Sequence, residues 1–236
     1  MQHPTRYSVG ELVRHVHWTC LASFLFSFGA SHTLAADTTN SPLLTVDRIF
    51  DSDDFNEGSV ETTVWKKRGP GYFTFEKSQA GGEEKEFVWR DPASDQKEIV
   101  MPAHAFIPPG ESNPLAIEGL EFSEDESKLL IYTNSKRVWR QKTRGDYWVL
   151  DVTSRELRKL GGDAPSSTLM FAKFSPDGTR VAYVRGNNLY VQNLRDLRIT
   201  PLTTNGSATL INGTSDWVYE EELDLRDGFF WSPDSK

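Results

Sequence analysis

Cysteine is nearly absent: the 236-residue chain has one, Cys20, and it lies within an apolar run near the N-terminus. No disulfide can staple the remainder, and a Cys/His metal centre of the usual spacing has no ligands to draw on. Histidine is almost as scarce, because after His32 only His104 remains, in "MPAHAFIPPG". A serine hydrolase needs a base beside an activated serine, and no Gly-x-Ser-x-Gly elbow occurs to present one. No catalytic residue is therefore assigned within these residues. There is also no glycine-rich phosphate loop ending in Lys and Ser or Thr, so no nucleotide cofactor is expected. The run "DSDDFNE", Asp51 to Glu57, lacks the spacing and glycine of a calcium loop and reads as a solvated charge run, so no metal is expected either. With 26 basic against 34 acidic residues and a formal charge of −8, the chain is a poor partner for nucleic acid.

Long apolar runs are missing except at the start. Arg6 and Arg14 precede "WTCLASFLFSFGAS", and small residues follow in "HTLAADTT". This is the charge, apolar-core and cleavage-site order of a secretory signal over residues 1–36, with Ala35 or Ala36 as its last residue. The alternative is a retained anchor, against which stand the run's shortness and its interruption by Gly29 and His32. Removal of a leader holding Arg6, Arg14 and Glu11 makes the rest one unit more acidic. A cysteine-free exported protein fits a bacterial periplasm, or secretion, as its location.

What the chain does have is strand-length segments. "GYFTFEK", "KEFVWRD", "KLLIYTN", "DYWVLDV", "TRVAYVRG" and "NLYVQNL" are rich in aromatic and β-branched residues and bounded by turn residues. No long stretch shows a helical period, so residues 37–236 read as all-β. A repeat aligns "FSEDESKLLIYTN" from Phe122, "FSPDGTRVAYVRG" from Phe174 and "WSPDSK" from Trp231. Copies about fifty residues apart suit the blades of a β-propeller, in which four-stranded sheets stack around an axis. A β-sandwich with coincidental Ser-Pro-Asp turns is the alternative. The triplets at Asn205 and Asn212 match glycosylation acceptors, but Asn-Gly is also a common tight turn, which is the reading adopted.

The run "NGTSDWVYEEELDLRDGFFWSP" places Glu220, Glu221 and Glu222 directly behind Trp217, Val218 and Tyr219. Adjacent carboxylates repel, and desolvating them beside aromatic rings costs more still unless a cation pairs with them. They either face water or await a positive ligand. In a flat strand, neighbours point to opposite faces, so two of these acids converge only if the chain leaves the sheet in a turn or short helix.

The seven residues "DWVYEEE", Asp216 to Glu222, resemble the motif of the dipeptidyl peptidase IV family of serine exopeptidases. "NSKRVWRQKTRGDYWVLDV", Asn134 to Val152, and "KLGGDAPSSTLMFAKFSPDGTRVAYVRGNNLYV" resemble its bacterial members in order and spacing. The resemblance implies the N-terminal blades of an eight-bladed propeller that precedes an α/β-hydrolase domain, with peptide bound between the two. It further implies that Glu221 and Glu222 hold the free α-ammonium of a peptide and that Arg140 holds the carbonyl of the second residue from the scissile bond. Asp216, Trp217 and Tyr219 are expected to serve blade packing and local hydrogen bonding. For Arg140 a surface salt bridge with Asp146 or Glu124 stays open. On this view about half a propeller is present, the hydrolase domain lies outside these residues, and the expected product is a dipeptide ending in proline or alanine. A non-catalytic exported propeller binding peptides or a protein partner is the alternative, and a non-functional truncated product a third. Unpaired blade edges would favour a homo-oligomer.

Overall fold

A computed structural model describes residues 44–55, 62–78, 85–138 and 140–236. The expected leader lies outside the described residues. Two units are distinguished, Met1–Glu57 and Gly58–Lys236. In the first, α1 spans Val46–Phe50, with the Thr45 hydroxyl accepting from the Arg48 amide as an N-cap. Asp54 of the acidic run pairs with Arg48 at 2.6 Å.

Among the described residues of the second unit, twelve strands form three four-stranded antiparallel sheets, each a meander of consecutive strands. The first holds β1 (Thr63–Trp65), β2 (Tyr72–Lys77), β3 (Lys85–Arg90) and β4 (Lys97–Met101). The second holds β5 (Ile117–Phe122), β6 (Lys128–Val138), β7 (Gln141–Asp151) and β8 (Leu157–Lys159). The third holds β9 (Met170–Phe174), β10 (Arg180–Arg185), β11 (Asn188–Asn193) and β12 (Ile199–Pro201).

The middle sheet decides between sandwich and propeller. Side chains alternate across a strand, so Leu129 and Ile131 of β6 point one way and Leu130 the other, yet all three are buried. Leu129 and Ile131 join Phe73, Phe75 and Phe87 of the first sheet. Leu130 joins Phe174, Val181 and Tyr183 of the third. A sheet covered on both faces carries an uninterrupted apolar run, which is why "LLIY" does not alternate with polar residues. Sheets stacked in series, each serving as its neighbour's wall, are propeller blades, and the fold is a β-propeller region. The first interface is an aromatic cluster: the Phe73 ring lies 5.3 Å from Phe87 and 4.7 Å from Phe122.

The three repeat turns are one hydrogen-bonded device used three times. Ser123, Ser175 and Ser232 donate their hydroxyls to Asp125, Asp177 and Asp234 at 2.7, 2.6 and 2.6 Å. Each serine oxygen then accepts the amide five or four residues on, from Lys128, Arg180 or Lys236. At Ser123 and Ser175 the hydroxyl thus satisfies the backbone where one strand hands over to the next, β5 to β6 and β9 to β10. The β10–β11 hairpin turns at Gly186 and Asn187, whose φ values of 55° and 60° are those of the tight turn that matches strand twist. The Asn-Gly pairs at Asn205 and Asn212 make no hairpin. They lie in the loop after β12, where the Asn212 side-chain amide donates to the Asn187 carbonyl at 3.0 Å.

Candidate functional site

Two arms leave the sheets and meet. The first is the β6–β7 hairpin, whose strands are 11 residues long where β5 has 6 and β8 has 3, so its end projects beyond the sheet. The register shifts between Thr133 and Arg137. There Asn134 takes φ 49°, and its side-chain amide donates to the buried Asp146 at 2.8 Å. Asp146 therefore serves the bulge, with Ser166, Ser167 and Lys159 as its other partners.

The arm is held at its root from three sides. Glu118 of β5 accepts from the Ser135 amide at 2.9 Å and its hydroxyl at 2.5 Å, and pairs with Lys142 across the hairpin at 3.1 Å. These bonds, led by the Ser135 hydroxyl, lower the Glu118 carboxyl from 4.5 to about 2. Tyr132 spans the hairpin from the other strand, its hydroxyl 2.8 and 3.0 Å from the Lys142 and Arg144 carbonyls. Gly145 lets the Tyr132 ring pass, since a Cβ there would lie 2.3 Å from that ring.

A folded pKa below the ordinary one means that Glu118 contributes stability fully above 4.5 and loses it as pH falls toward about 2. The urea midpoint of the wild-type chain is expected to exceed that of Glu118→Gln at pH 7, with the gap closing as pH is lowered through this window. A gap that is constant with pH contradicts the assignment.

The second arm follows β12. Residues 213–215 pair with 226–228 through the Thr214–Asp227 bridge, with Ser215 donating to the Arg226 carbonyl and Gly228 to the Gly213 carbonyl, each at 3.0 Å. The excursion between them is α2, Trp217–Leu223, capped by Asp216, whose carboxylate accepts from the Tyr219 amide at 3.0 Å. Lys173 of β9 pins the returning strand: it pairs with Asp227, donates to the Phe229 carbonyl at 3.0 Å and lies 4.7 Å from the Phe229 and Phe230 rings.

The helix resolves the crowding of the three acids. Positions i, i+3 and i+4 share a helix face, so Trp217, Glu220 and Glu221 turn together toward a cleft of about 640 Å³, while Glu222 is exposed and not among the residues lining it. Val138, Met170, Phe171 and Ile211 supply the apolar lining, with Phe171 held at φ 55°, a conformation that a bulky side chain rarely adopts. Thr143, Asn187, Thr214 and Ser215 add polar groups. The arm contributes Arg140 and Arg144.

Arg140 and Glu221, 81 residues apart, form an ion pair at 2.7 Å. This is the partner of Arg140, in place of Asp146 or Glu124. The arginine side chain is 74% exposed and the glutamate 26%, so the acid sits in the cleft and the arginine reaches in from its rim. The expectation that Trp217 and Tyr219 pack within a blade is corrected: they are 67% and 51% exposed. On this short helix Trp217 lines the cleft, and Tyr219 is not among its lining residues. Asp216 does make the expected local hydrogen bond. His104 sits in a 3-10 turn, Ala103–Phe106, and does not line the cleft. Among the described residues no group of three or more His, Cys, Asp or Glu is placed to hold a metal, and no helix is long and apolar enough to cross a membrane.

Glu118, Tyr132, Arg144, Phe171 and Lys173 were not singled out from the sequence. A lysine amid the aromatic strand "FAKF" was a legible signal for Lys173; for Glu118 the partners are too far along the chain to be read.

Residues 123–236 match the model of the dipeptidyl peptidase IV N-terminal region. A probable dipeptidyl-aminopeptidase B of Arthroderma otae is 37% identical over 115 residues, 48% of this chain and 12% of the relative. Dipeptidyl aminopeptidase B of Saccharomyces cerevisiae is 36% identical over 137 residues, 57% of this chain and 16% of the relative. The chain thus spans less than a fifth of the length of these relatives. The crystal structure of Porphyromonas gingivalis dipeptidyl peptidase 4 superposes with a TM-score of 0.65 at 23% identity, covering 84% of this chain and 27% of that one, a likeness of fold. Repeat turns, stacked blades and the sequence match agree: residues 123–236 carry the N-terminal propeller region of the dipeptidyl peptidase IV family.

Proposed function

We propose that this chain is the substrate-recognition part of an exported, serine-type dipeptidyl aminopeptidase, and that its cleft receives the free N-terminus of a peptide. The observation that carries the proposal is the Arg140–Glu221 pair, which joins two arms from different blades at the mouth of one cleft. An α-ammonium offers three donors, and carboxylates around it form charge-assisted bonds that an acetylated terminus cannot replace. Glu221 is positioned for this, with Glu220 beside it on the same wall. Glu222, which the family resemblance pairs with Glu221, lies about 100° further round the helix, so its joining the clamp requires α2 to rotate. Arg140, once Glu221 turns to the ammonium, is free to donate to a peptide carbonyl.

Bond cleavage belongs, on this proposal, to an α/β-hydrolase domain that the family arrangement places after the propeller, with the products being dipeptides ending in proline or alanine. The test offers a glycyl-prolyl chromogenic substrate to the chain alone and to a longer product of the same reading frame. Release by the longer product only is the expected result. Release by the chain alone, surviving mock-purification controls, or no release by either, contradicts the proposal.

A further inference from the structure

Among the described residues, the cleft has one cation that no ion pair engages. Arg140 is engaged by Glu221, and Lys142, on the same arm, by Glu118. Arg144 lines the cleft and, among the described residues, its guanidinium forms no ion pair. Its backbone is fixed, with its carbonyl held by the Tyr132 hydroxyl at 3.0 Å and the next residue, Gly145, exchanging hydrogen bonds with Leu169 at 2.9 and 3.1 Å. The group is therefore mounted on a rigid strand with a flexible reach.

The charge around it is unusual for this protein. The chain carries −8 overall, yet Lys136, Arg137, Arg140, Lys142 and Arg144 crowd onto the arm within nine positions. The cleft accordingly has two signs: Glu220 and Glu221 on the helix wall, and Arg144 left over on the arm wall, above an apolar floor. The acids on the helix wall have work to do if a peptide ammonium binds there, and none of them is needed by Arg144. A guanidinium with no counter-charge among the described residues, in a lining that also holds Thr143 and Asn187, presents a fork of donors suited to a carboxylate.

We propose that Arg144 forms a carboxylate subsite, so that the cleft favours peptides whose first residue carries an acidic side chain. The inference rests on the reading that the peptide ammonium sits at Glu221. A first-residue aspartate or glutamate then presents its two opposite charges a few ångströms apart, matching the two walls. A neutral side chain at that position leaves Arg144 to water.

The test is isothermal titration calorimetry on the full chain with three amidated peptides, Asp-Pro-Ala-amide, Asn-Pro-Ala-amide and N-acetylated Asp-Pro-Ala-amide, so that the aspartate carboxylate is the sole acid. Wild type is expected to bind the aspartyl peptide about fivefold more tightly than the asparaginyl one, the scale of a solvent-accessible ion pair. Arg144→Ala is expected to bind the two equally, and Arg144→Lys to restore part of the preference; Arg144 is exposed, so its removal leaves no buried void. Equal binding by wild type, or a preference that persists in Arg144→Ala, overturns the subsite even where acetylation still weakens binding. If acetylation has no effect, or no peptide binds, the ammonium reading fails and the subsite with it.

Discussion

Glu221→Gln is expected to weaken binding of a free-amino peptide by about 2 to 3 kcal/mol, the lower part of the range for truncating one partner of a desolvated charge pair. The lower part applies because the Glu221 side chain is 26% exposed, leaving water to screen some of the charge. Two effects combine in this variant: the ammonium loses a carboxylate, and Arg140 loses its anchor at the mouth of the cleft. Arg140→Ala is therefore expected to weaken binding as well, and the double variant to cost less than the sum of the two, because residues in direct contact couple. Glu222→Gln tests the rotation of α2, with a smaller loss expected because Glu222 does not line the cleft. Asp53→Ala, in the acidic run of the first unit, is expected to bind as wild type does. Full affinity in Glu221→Gln removes the clamp from the account.

Phe87→Ala is expected to destabilise the chain by about 3 to 5 kcal/mol, as loss of a large core aromatic does. The side chain is fully buried and its ring lies 5.3 Å from Phe73, 5.0 Å from Phe75 and 6.1 Å from Phe122. Phe122 belongs to the second sheet, so the cavity opens at the interface between two blades and cannot be closed by either sheet alone. Phe230→Ala, at a residue 77% exposed whose ring contacts Lys173, is expected to change stability by under about 1 kcal/mol, the scale of an exposed cation–π contact. Urea unfolding of the two variants beside wild type checks the contrast. Equal midpoints for Phe87→Ala and Phe230→Ala contradict blade-against-blade packing as the source of stability.

The strands were legible because their signal is local. "KLLIYTN" and "TRVAYVRG" have the length and residue types of buried strands, and each falls within β6 or β10 and the residues beside it. The recurring Ser-x-Asp turn was legible for the same reason, since each serine bonds an aspartate two residues away. The excursion at "YEEELDLRDG" was foreseeable because neighbours on a strand face opposite ways, so that two acids converge only off the sheet, and α2 places two of the three on one face.

The rest depends on contacts between residues far apart in the chain. That Arg140 meets Glu221 follows from where the β6–β7 arm bends. That bend is set by Glu118 gripping Ser135 and by Tyr132 spanning the hairpin, neither of which has a local pattern. The exposure of Trp217 was missed because "DWVY" carries strand-like aromatics, while the Asp216 cap starts a helix at that point and turns the indole to the cleft. Lys173 stood in plain view in "FAKF", but its partner Asp227 lies more than fifty residues away.

The central claim is that the cleft between the arms recognises a free peptide N-terminus. The most direct measurement is the affinity of the full chain for glycyl-prolyl-alanine amide and for its N-acetylated form, by titration calorimetry at pH 7. Acetylation removes the positive charge and leaves the rest of the peptide intact. The account predicts a loss of at least about tenfold, equivalent to about 1.4 kcal/mol, in wild type, with the two peptides converging in Glu221→Gln. Equal affinity of wild type for the free and the acetylated peptide would contradict it.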